Sequence, residues 1–157
     1  MSEKSMTFRR ATKNDVPCIV KMLANDNLGN LREKYQNPLP ESYYTAFEII
    51  NSDPNQELMV LENENDLEII GTFQLTFIPY LSYQGKLRAQ IENVFVRQDL
   101  TGQGIGKKIF AWVIERAKER NAHLLQLTSD KKRANAIKFY EDLGFKTSHE
   151  GMKLHFK

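Results

Sequence analysis

The sequence predicts one α/β domain in which helices pack on a mixed β-sheet, and three observations carry that prediction. The chain is 157 residues long, enough to bury one core and too short for two comfortable domains. Its apolar residues fall into period-2 and helical-spacing segments in the order strand, helix, helix, three strands, helix, strand, helix, strand. In the second half strand and helix alternate, which implies crossover helices packed on the sheet.

Each segment has its own reason. A short strand at 6–9 leads into Thr12-Lys13-Asn14-Asp15, a capping-box-like start with Pro17 in the first helical turn. Val16, Ile19, Val20 and Leu23 recur at helical spacing behind it. The connection from Asn25 to Pro40 is polar, contains proline and is long enough to be a functional loop. Tyr43, Ala46, Phe47 and Ile50 mark a second helix that stops before Asp53-Pro54, since a residue preceding proline resists the helical region. Residues 57–61 and 67–78, joined by the polar turn Asn63-Glu64-Asn65-Asp66, read as an antiparallel hairpin with a bulge at Gly71. An aromatic loop over 79–85 returns the chain to a strand at 87–96. Ile105, Ile109, Phe110, Val113, Ile114 and Ala117 form the stripe of a helix running to Arg120. A strand at 124–128 and a helix at 133–143, with Gly144 as its C-terminal cap residue, come next. In the closing strand Met152, Leu154 and Phe156 alternate with Lys153, His155 and Lys157, which predicts one buried face.

Composition narrows the class. A hydrophobic content of 41% and a charged content of 27% are ordinary for a soluble globular protein. No stretch approaches the roughly 18 apolar residues of a membrane helix, so no membrane partner is expected. The opening MSEKSMTFRR lacks an apolar signal core, and the single cysteine, Cys18, cannot form an internal disulfide; both lead to an expectation of a cytoplasmic protein. A formal net charge of +2, spread along the chain, argues against nucleic acid. The one basic cluster, Lys131-Lys132-Arg133, reads either as a solvated loop or as a phosphate neighbour. His123, His149 and His155 lack metal-ligand spacing, so no metal is expected. Cys18 reads as a small buried apolar group and Trp112 as packing.

The stretch Thr101-Gly102-Gln103-Gly104-Ile105-Gly106 lies between a strand and a helix. Such a loop offers unpaired N–H groups at the positive end of a helix dipole, and its glycines let an anion approach. A dinucleotide fingerprint would need glycine where Lys107 stands, and a P-loop would need glycine and Ser or Thr where Thr101 and Lys108 stand. A tight turn without a ligand is the plain structural alternative. Val94-Phe95-Val96, a polar turn and then Gly102 to Gly106 do resemble the acetyl-CoA pyrophosphate loop of the GNAT family of N-acetyltransferases. The later run Arg133-Ala134-Asn135-Ala136-Ile137-Lys138-Phe139-Tyr140-Glu141-Asp142-Leu143-Gly144-Phe145 resembles that family's second motif, a helix. Both motifs occur in the family's order, and the elements from residue 7 onward match it, so the resemblance implies a single GNAT-like domain over 1–157 with a mixed, mostly antiparallel sheet flanked by helices. Two positions depart from the pattern: Thr101 stands where Arg or Gln is usual, and Arg133 where Asn is common.

The resemblance implies acetyl-CoA as cofactor. Val94, Phe95 and Val96 would hold it on a strand that splays from its neighbour, together with Thr101, Gly102, Gln103, Gly104, Ile105, Gly106 and Lys107 in the loop and Arg133 and Asn135 on the later helix. It also implies direct transfer to an amine with no covalent enzyme intermediate. Tyr140 occupies the place of the family's proton donor to the departing thiolate; a phenol of pKa about 10 bears its proton at neutral pH. The alternative for Tyr140 is a core aromatic. Glu92, within Gln90-Ile91-Glu92-Asn93, is the candidate base; its pKa would be raised if it is buried, and a solvent-facing position is the alternative. The acceptor is expected near the 25–40 connection and the aromatic loop, with Arg32, Glu33, Tyr80 and Tyr83 as candidate contacts. The function so implied is N-acetylation of a small-molecule amine. Protein lysine or N-terminal acetylation and a non-catalytic acyl-CoA-binding sensor are the alternatives, and a homodimer is an open expectation.

Overall fold

In the computed structural model, which describes residues 5–26 and 29–157, five strands form one sheet in the order β1-β2-β3-β4-β5. Residues 27 and 28 of the expected 25–40 connection and the first four residues lie outside the described part. Strands β1 (Met6–Arg10), β2 (Gln56–Asn63), β3 (Ile69–Pro79) and β4 (Leu87–Val96) are antiparallel neighbours, while β5 (Ala122–Gln126) runs parallel to β4. The sheet is therefore mixed and mostly antiparallel. Helices α1 (Val16–Ala24) and α2 (Glu41–Ser52) pack on one face, and α3 (Ile105–Glu119) and α4 (Ala134–Asp142) on the other.

Strand alternation sets the core. Leu61, Phe73, Leu75, Phe77, Ala89 and Ile91 meet Ile109, Phe110 and Val113 of α3, all of them sealed from solvent. On the other face Val60 meets Val16, Ile19 and Val20 of α1 and Phe47 of α2. Side chains buried to this degree each stabilise the fold by about 1.5–3 kcal/mol.

Polar residues fix the ends. The Thr12 N–H donates to Asp15 Oδ2 at 2.7 Å at the head of the α1 region, and the Arg9 guanidinium bridges Asp15 and Glu62, each at 2.7 Å. Burial pushes the Asp15 carboxyl up, but hydrogen bonds from Arg9 and Thr12 outweigh it and hold the pKa below its ordinary value. Glu57 is 1% exposed and takes bonds from Arg116 at 2.6 and 3.0 Å and from Arg120 at 3.1 Å, which tie β2 to the end of α3. Here too burial raises and the arginines, led by Arg116, more than offset it, so this carboxyl also titrates low. Helix α4 closes as a Schellman motif: Phe145 N–H bonds Tyr140 C=O at 3.0 Å, Gly144 N–H bonds Glu141 C=O at 2.9 Å, and Gly144 takes φ 95°.

Four expectations shift. The bulge predicted at Gly71 falls one residue earlier, because Leu61 faces Gly71 while Glu62 faces Ile69, leaving Ile70 extra. Gly71 instead permits a close approach, since a Cβ there would lie 3.2 Å from Phe95 O. Strand β5 starts two residues before the predicted 124, because Asn121 at φ 58° ends the α3 turn abruptly. Cys18 is half-buried rather than fully buried. The closing strand with a buried face does not form among the described residues: residues 152–156 pair with none of them, and Met152, Leu154 and Phe156 are 86, 81 and 89% exposed. Alternation marks a segment as fit for a sheet, but a strand also needs an edge to bond to, and this segment takes none among the described residues.

Among the described residues no helix is long and apolar enough to cross a membrane.

Candidate active site

Strand β5 pairs with β4 only from Leu87–Ala122 to Gln90–Gln126, whereas β4 stays paired with β3 as far as Val96–Gly71. Past Gln90 the pairing stops, because β5 ends at Gln126 while β4 runs on to Val96. A bulge follows: three steps of β4, from Glu92 to Phe95, oppose two of β3, from Gln74 to Thr72. Asn93 supplies the required left-handed backbone at φ 52°, which asparagine tolerates better than most residues. Val94, Phe95 and Val96 thus lie on a β4 edge with no strand beside it among the described residues, leaving main-chain groups free to bond a ligand.

The chain leaves that edge through a pinned turn. Arg97 grips Asp99 at 2.7 and 3.1 Å and Glu68 at 2.6 Å, and Leu100 is buried. The Thr101 hydroxyl donates back to Gln98 C=O at 2.6 Å, so the residue that departs from the family pattern closes the turn. Gly102 and Gly104 both take φ 79°, and a Cβ on either would meet nothing within 4 Å: the backbone needs glycine, and the space beside it is open. Gly106 has a different role, since its missing side chain lets Phe139 of α4 approach to 3.3 Å of the Cβ position. The first main-chain bond of α3 is Lys108 N–H to Gly104 C=O at 3.2 Å, with no side-chain cap. The N–H groups of Ile105, Gly106 and Lys107 are therefore directed out of the helix start, with the Lys107 cation in the same turn. That donor set fits a diphosphate.

Tyr140 of α4 packs against Phe110, Phe139 and Phe145 at ring distances of 5.5, 5.5 and 6.1 Å. Burial pushes its phenol pKa above the ordinary value, with the Arg133 charge pulling weakly the other way, so the group keeps its proton through neutral pH. Arg133 occupies the N-cap position of α4 without a side-chain capping bond and is exposed, as is Asn135. Lys131 is ion-paired with Glu150 at 2.9 Å.

Across the sheet runs a polar row. Gln56 faces Thr76, Thr76 faces Gln90, and Gln90 faces Gln126, so the four share the side opposite Ala89 and Ile91. Gln126 donates to Gln90 at 2.7 Å, Gln90 to Glu92 at 2.9 Å, and Gln74 to Gln56 at 2.7 Å. Glu92 belongs to this polar face and is exposed, the solvent-facing alternative to a buried base. Reading residues one at a time misses this row; the signal was the alternation of Arg88, Gln90 and Glu92 with Ala89 and Ile91.

The four candidate acceptor residues fall into two clusters. Arg32 pairs with Glu33 at 2.6 Å, and Glu33 accepts from the Tyr43 hydroxyl at 2.9 Å, which ties the connection to α2. Tyr80 hydrogen-bonds His123 of β5, Tyr83 lies against both rings, and the Arg88 guanidinium stacks 5.1 Å from the Tyr80 ring.

The acetyltransferase (GNAT) family matches residues 25–145. An aminoalkylphosphonate N-acetyltransferase of Salmonella typhimurium is 32% identical over 82 residues, 52% of this chain and 53% of that one, so the match spans about half of that relative. A crystal structure from Bacillus halodurans C-125, described as a transcriptional regulator, is 54% identical over 97% of this chain and 100% of that one, with a TM-score of 0.92. A structure described as a predicted acetyltransferase with acetyl-CoA, from Clostridium acetobutylicum, shares the fold at 21% identity and a TM-score of 0.72, covering 96% of each chain. With its family match spanning most of its length and its sheet order in agreement, the chain belongs to the GNAT family of acetyltransferases.

Proposed function

We propose that this domain moves an acetyl group from acetyl-CoA directly to the primary amine of a small polar molecule. The observation that carries the reading is the unpaired β4 edge beyond Gln90, beside the glycine turn, with a polar sheet face alongside. When bound, acetyl-CoA supplies an activated acetyl thioester. The main chain of 102–107 and the Lys107 cation hold its diphosphate, the open β4 edge at 94–96 orients its arm, and Arg133 and Asn135 flank it from α4. Tyr140 donates its phenolic proton to sulfur as the carbon–sulfur bond breaks. As the new carbon–nitrogen bond forms, the amine gives up a proton to Glu92, directly or through water lined up along Gln90 and Gln126.

The acceptor class rests on the polar face and on kinship. Amide side chains recognise hydroxyl, carboxyl and phosphonate groups, and the Salmonella relative acts, by its name, on aminoalkylphosphonates. Tyr80 and Tyr83 border the same region from the β3–β4 turn, while Arg32 and Glu33 hold the connection in place. A second reading has one observation behind it: the Bacillus halodurans chain, at 54% identity, is described as a transcriptional regulator, which favours an acyl-CoA-binding sensor without turnover.

One experiment separates these. Thiol release from acetyl-CoA is followed over a panel of aminophosphonates, amino acids, polyamines, amino sugars and lysine or N-terminal peptides, beside thermal shift with CoA. A donor at a hundred times its dissociation constant stabilises the native state by about 2.7 kcal/mol. Turnover with a small amine supports the first reading, turnover with peptides replaces it by protein acetylation, and a thermal shift without turnover supports the sensor. No shift with CoA or acetyl-CoA removes the donor site itself.

A further inference from the structure

Arg88 is a cation without an anion. Arg9, Arg10, Arg32, Arg97, Arg116 and Arg120 each lie within 3.5 Å of a carboxylate oxygen, and Arg133 stands exposed at the head of α4. Arg88 is half-buried on the polar face of β4 and forms neither an ion pair nor a hydrogen bond among the described residues; its Nε is sealed from solvent without a partner. A charged donor held in that state is costly, and an anion brought to the guanidinium relieves it.

Packing holds that guanidinium in place. It stacks 5.1 Å from the Tyr80 ring, Tyr80 hydrogen-bonds His123, and the Tyr83 ring lies 5.0 Å from that of His123. The turn carrying Tyr83 takes left-handed backbone at Tyr83, Gln84 and Gly85, with φ of 53, 63 and 71°, although only the last is glycine. Such strain persists where the surroundings over-determine a position. Along β4, Arg88, Gln90 and Glu92 face the same side, opposite Ile78, Thr76 and Gln74 in unbroken register. The length of strand between them sets the Arg88 and Glu92 main chains about 13 Å apart. Gln90 stands between, flanked by Thr76 and Gln126, while Ile78 and Leu124 flank Arg88 with apolar surface. The row therefore runs from a carboxylate through an amide to a cation.

We propose that Arg88 binds the far end of the acceptor, and that the acceptor is an unbranched primary amine carrying a carboxylate or phosphate about 8–12 Å from its nitrogen. The inference rests on the proposed transfer to a small amine beside Glu92, and it names which polar amines qualify. A nitrogen within reach of Glu92 and an anion within reach of Arg88 are separated by the strand length less two hydrogen bonds. α-Amino acids and short aminophosphonates, whose charges lie a few bonds apart, engage one end only. A carboxylate or phosphate suits the planar fork of a guanidinium, and Ile78 and Leu124 receive the last methylenes of the link.

Thiol release from acetyl-CoA is measured with the ω-amino acids glycine, aminobutyrate, aminooctanoate and aminododecanoate, with aminohexyl phosphate, and with aminooctanol and diaminooctane, whose tails carry no anion. The wild type is expected to reach its highest kcat/KM on aminooctanoate or aminohexyl phosphate, at least about 10-fold above aminooctanol. The faster of the two names the anion. Arg88→Gln is expected to raise KM for that acceptor at least about 10-fold, with kcat within about 3-fold and rates on aminooctanol unaltered. A maximum at either end of the amino acid series overturns the inference, as does an aminooctanol or diaminooctane that matches aminooctanoate. So does a variant that loses charged and neutral acceptors alike, the mark of a structural role beneath Tyr80. The wild-type series needs no variant and decides the matter should Arg88→Gln not fold. Turnover with any of these amines leaves the proposed transfer standing whatever becomes of Arg88. If no amine turns over, the transfer fails instead, and calorimetry with aminooctanoate and aminohexyl phosphate tests Arg88 alone. Binding to the wild type that Arg88→Gln loses supports the anion site, and no binding overturns it as well.

Discussion

Replacing Tyr140 by phenylalanine removes one oxygen and keeps the ring that packs on Phe110, Phe139 and Phe145. All the apolar contact survives, so the expected stability change is below about 1 kcal/mol, a Tm shift of no more than about 4 °C for a domain of this size. The chemical loss is larger. A positioned general acid contributes about 10²–10⁴-fold, so kcat is expected to fall by at least about 100-fold, equivalent to about 2.7 kcal/mol of barrier. KM for acetyl-CoA should stay within about 3-fold, because in the proposed mechanism the hydroxyl acts on the leaving sulfur rather than in binding. The phenol pKa is raised by burial, so the wild-type acid stays protonated from acid to beyond neutral pH. The ratio of the two rates should therefore be flat across that range. Thiol release measured with saturating amine gives kcat, and differential scanning fluorimetry gives Tm. A kcat within about 3-fold of wild type at unchanged Tm refutes the proton-donor role, and a fall in kcat accompanied by a Tm drop well beyond about 4 °C assigns Tyr140 to packing instead.

Glu92→Gln keeps a side chain that can bond Gln90 and is expected to lower kcat/KM about 10- to 100-fold and to flatten the acid limb of the pH–rate profile; an unaltered profile removes Glu92 from the mechanism. Gly104→Ala meets no atom but is forced to φ 79°, at a cost of about 1–2 kcal/mol, so a Tm loss of about 2–8 °C and a raised KM for acetyl-CoA are expected from fluorimetry and steady-state rates. Glu57→Gln removes the buried anion that Arg116 and Arg120 share, leaving Arg116 only its exposed pairing with Glu119, and should cost about 3 kcal/mol in urea unfolding at neutral pH. The Glu57 pKa is lowered from 4.5 in the fold, so its contribution is present above that value and is lost as pH falls through the folded pKa. The wild type should accordingly lose more stability than the variant on going from neutral pH to about pH 3.

Most of the fold was legible because local signals and burial agree. Val16, Ile19 and Val20 recur at helical spacing and meet one core; Ala89 and Ile91 alternate and meet the other. The glycine turn and the Tyr140 helix were legible as a pair of motifs, and the fold brings Phe139 onto Gly106, linking the two. Three features were not legible, each for a physical reason. The bulge at Asn93 arises from a register mismatch between two strands, a relation that no single strand contains. The exposure of Glu92 follows from how far α1 and α2 reach over the sheet face they cover, which depends on packing far along the chain. The polar row across Gln56, Thr76, Gln90 and Gln126 is assembled from four strands and exists only once their register is set.

The first turn of α3 holds Lys107 and Lys108 and no acidic residue, so two cations sit where the helix dipole is already positive. Each such placement is unfavourable by about 0.3–1 kcal/mol at low ionic strength. The domain thus carries a small electrostatic tension at this turn that a multivalent anion relieves. Inorganic pyrophosphate alone should raise the melting temperature, and the gain should shrink as added salt screens the lysines from one another and from the helix end. On the proposed reading the turn is a binding element whose readiness is stored as repulsion, and the ionic strength of the medium should tune how tightly it holds its anion.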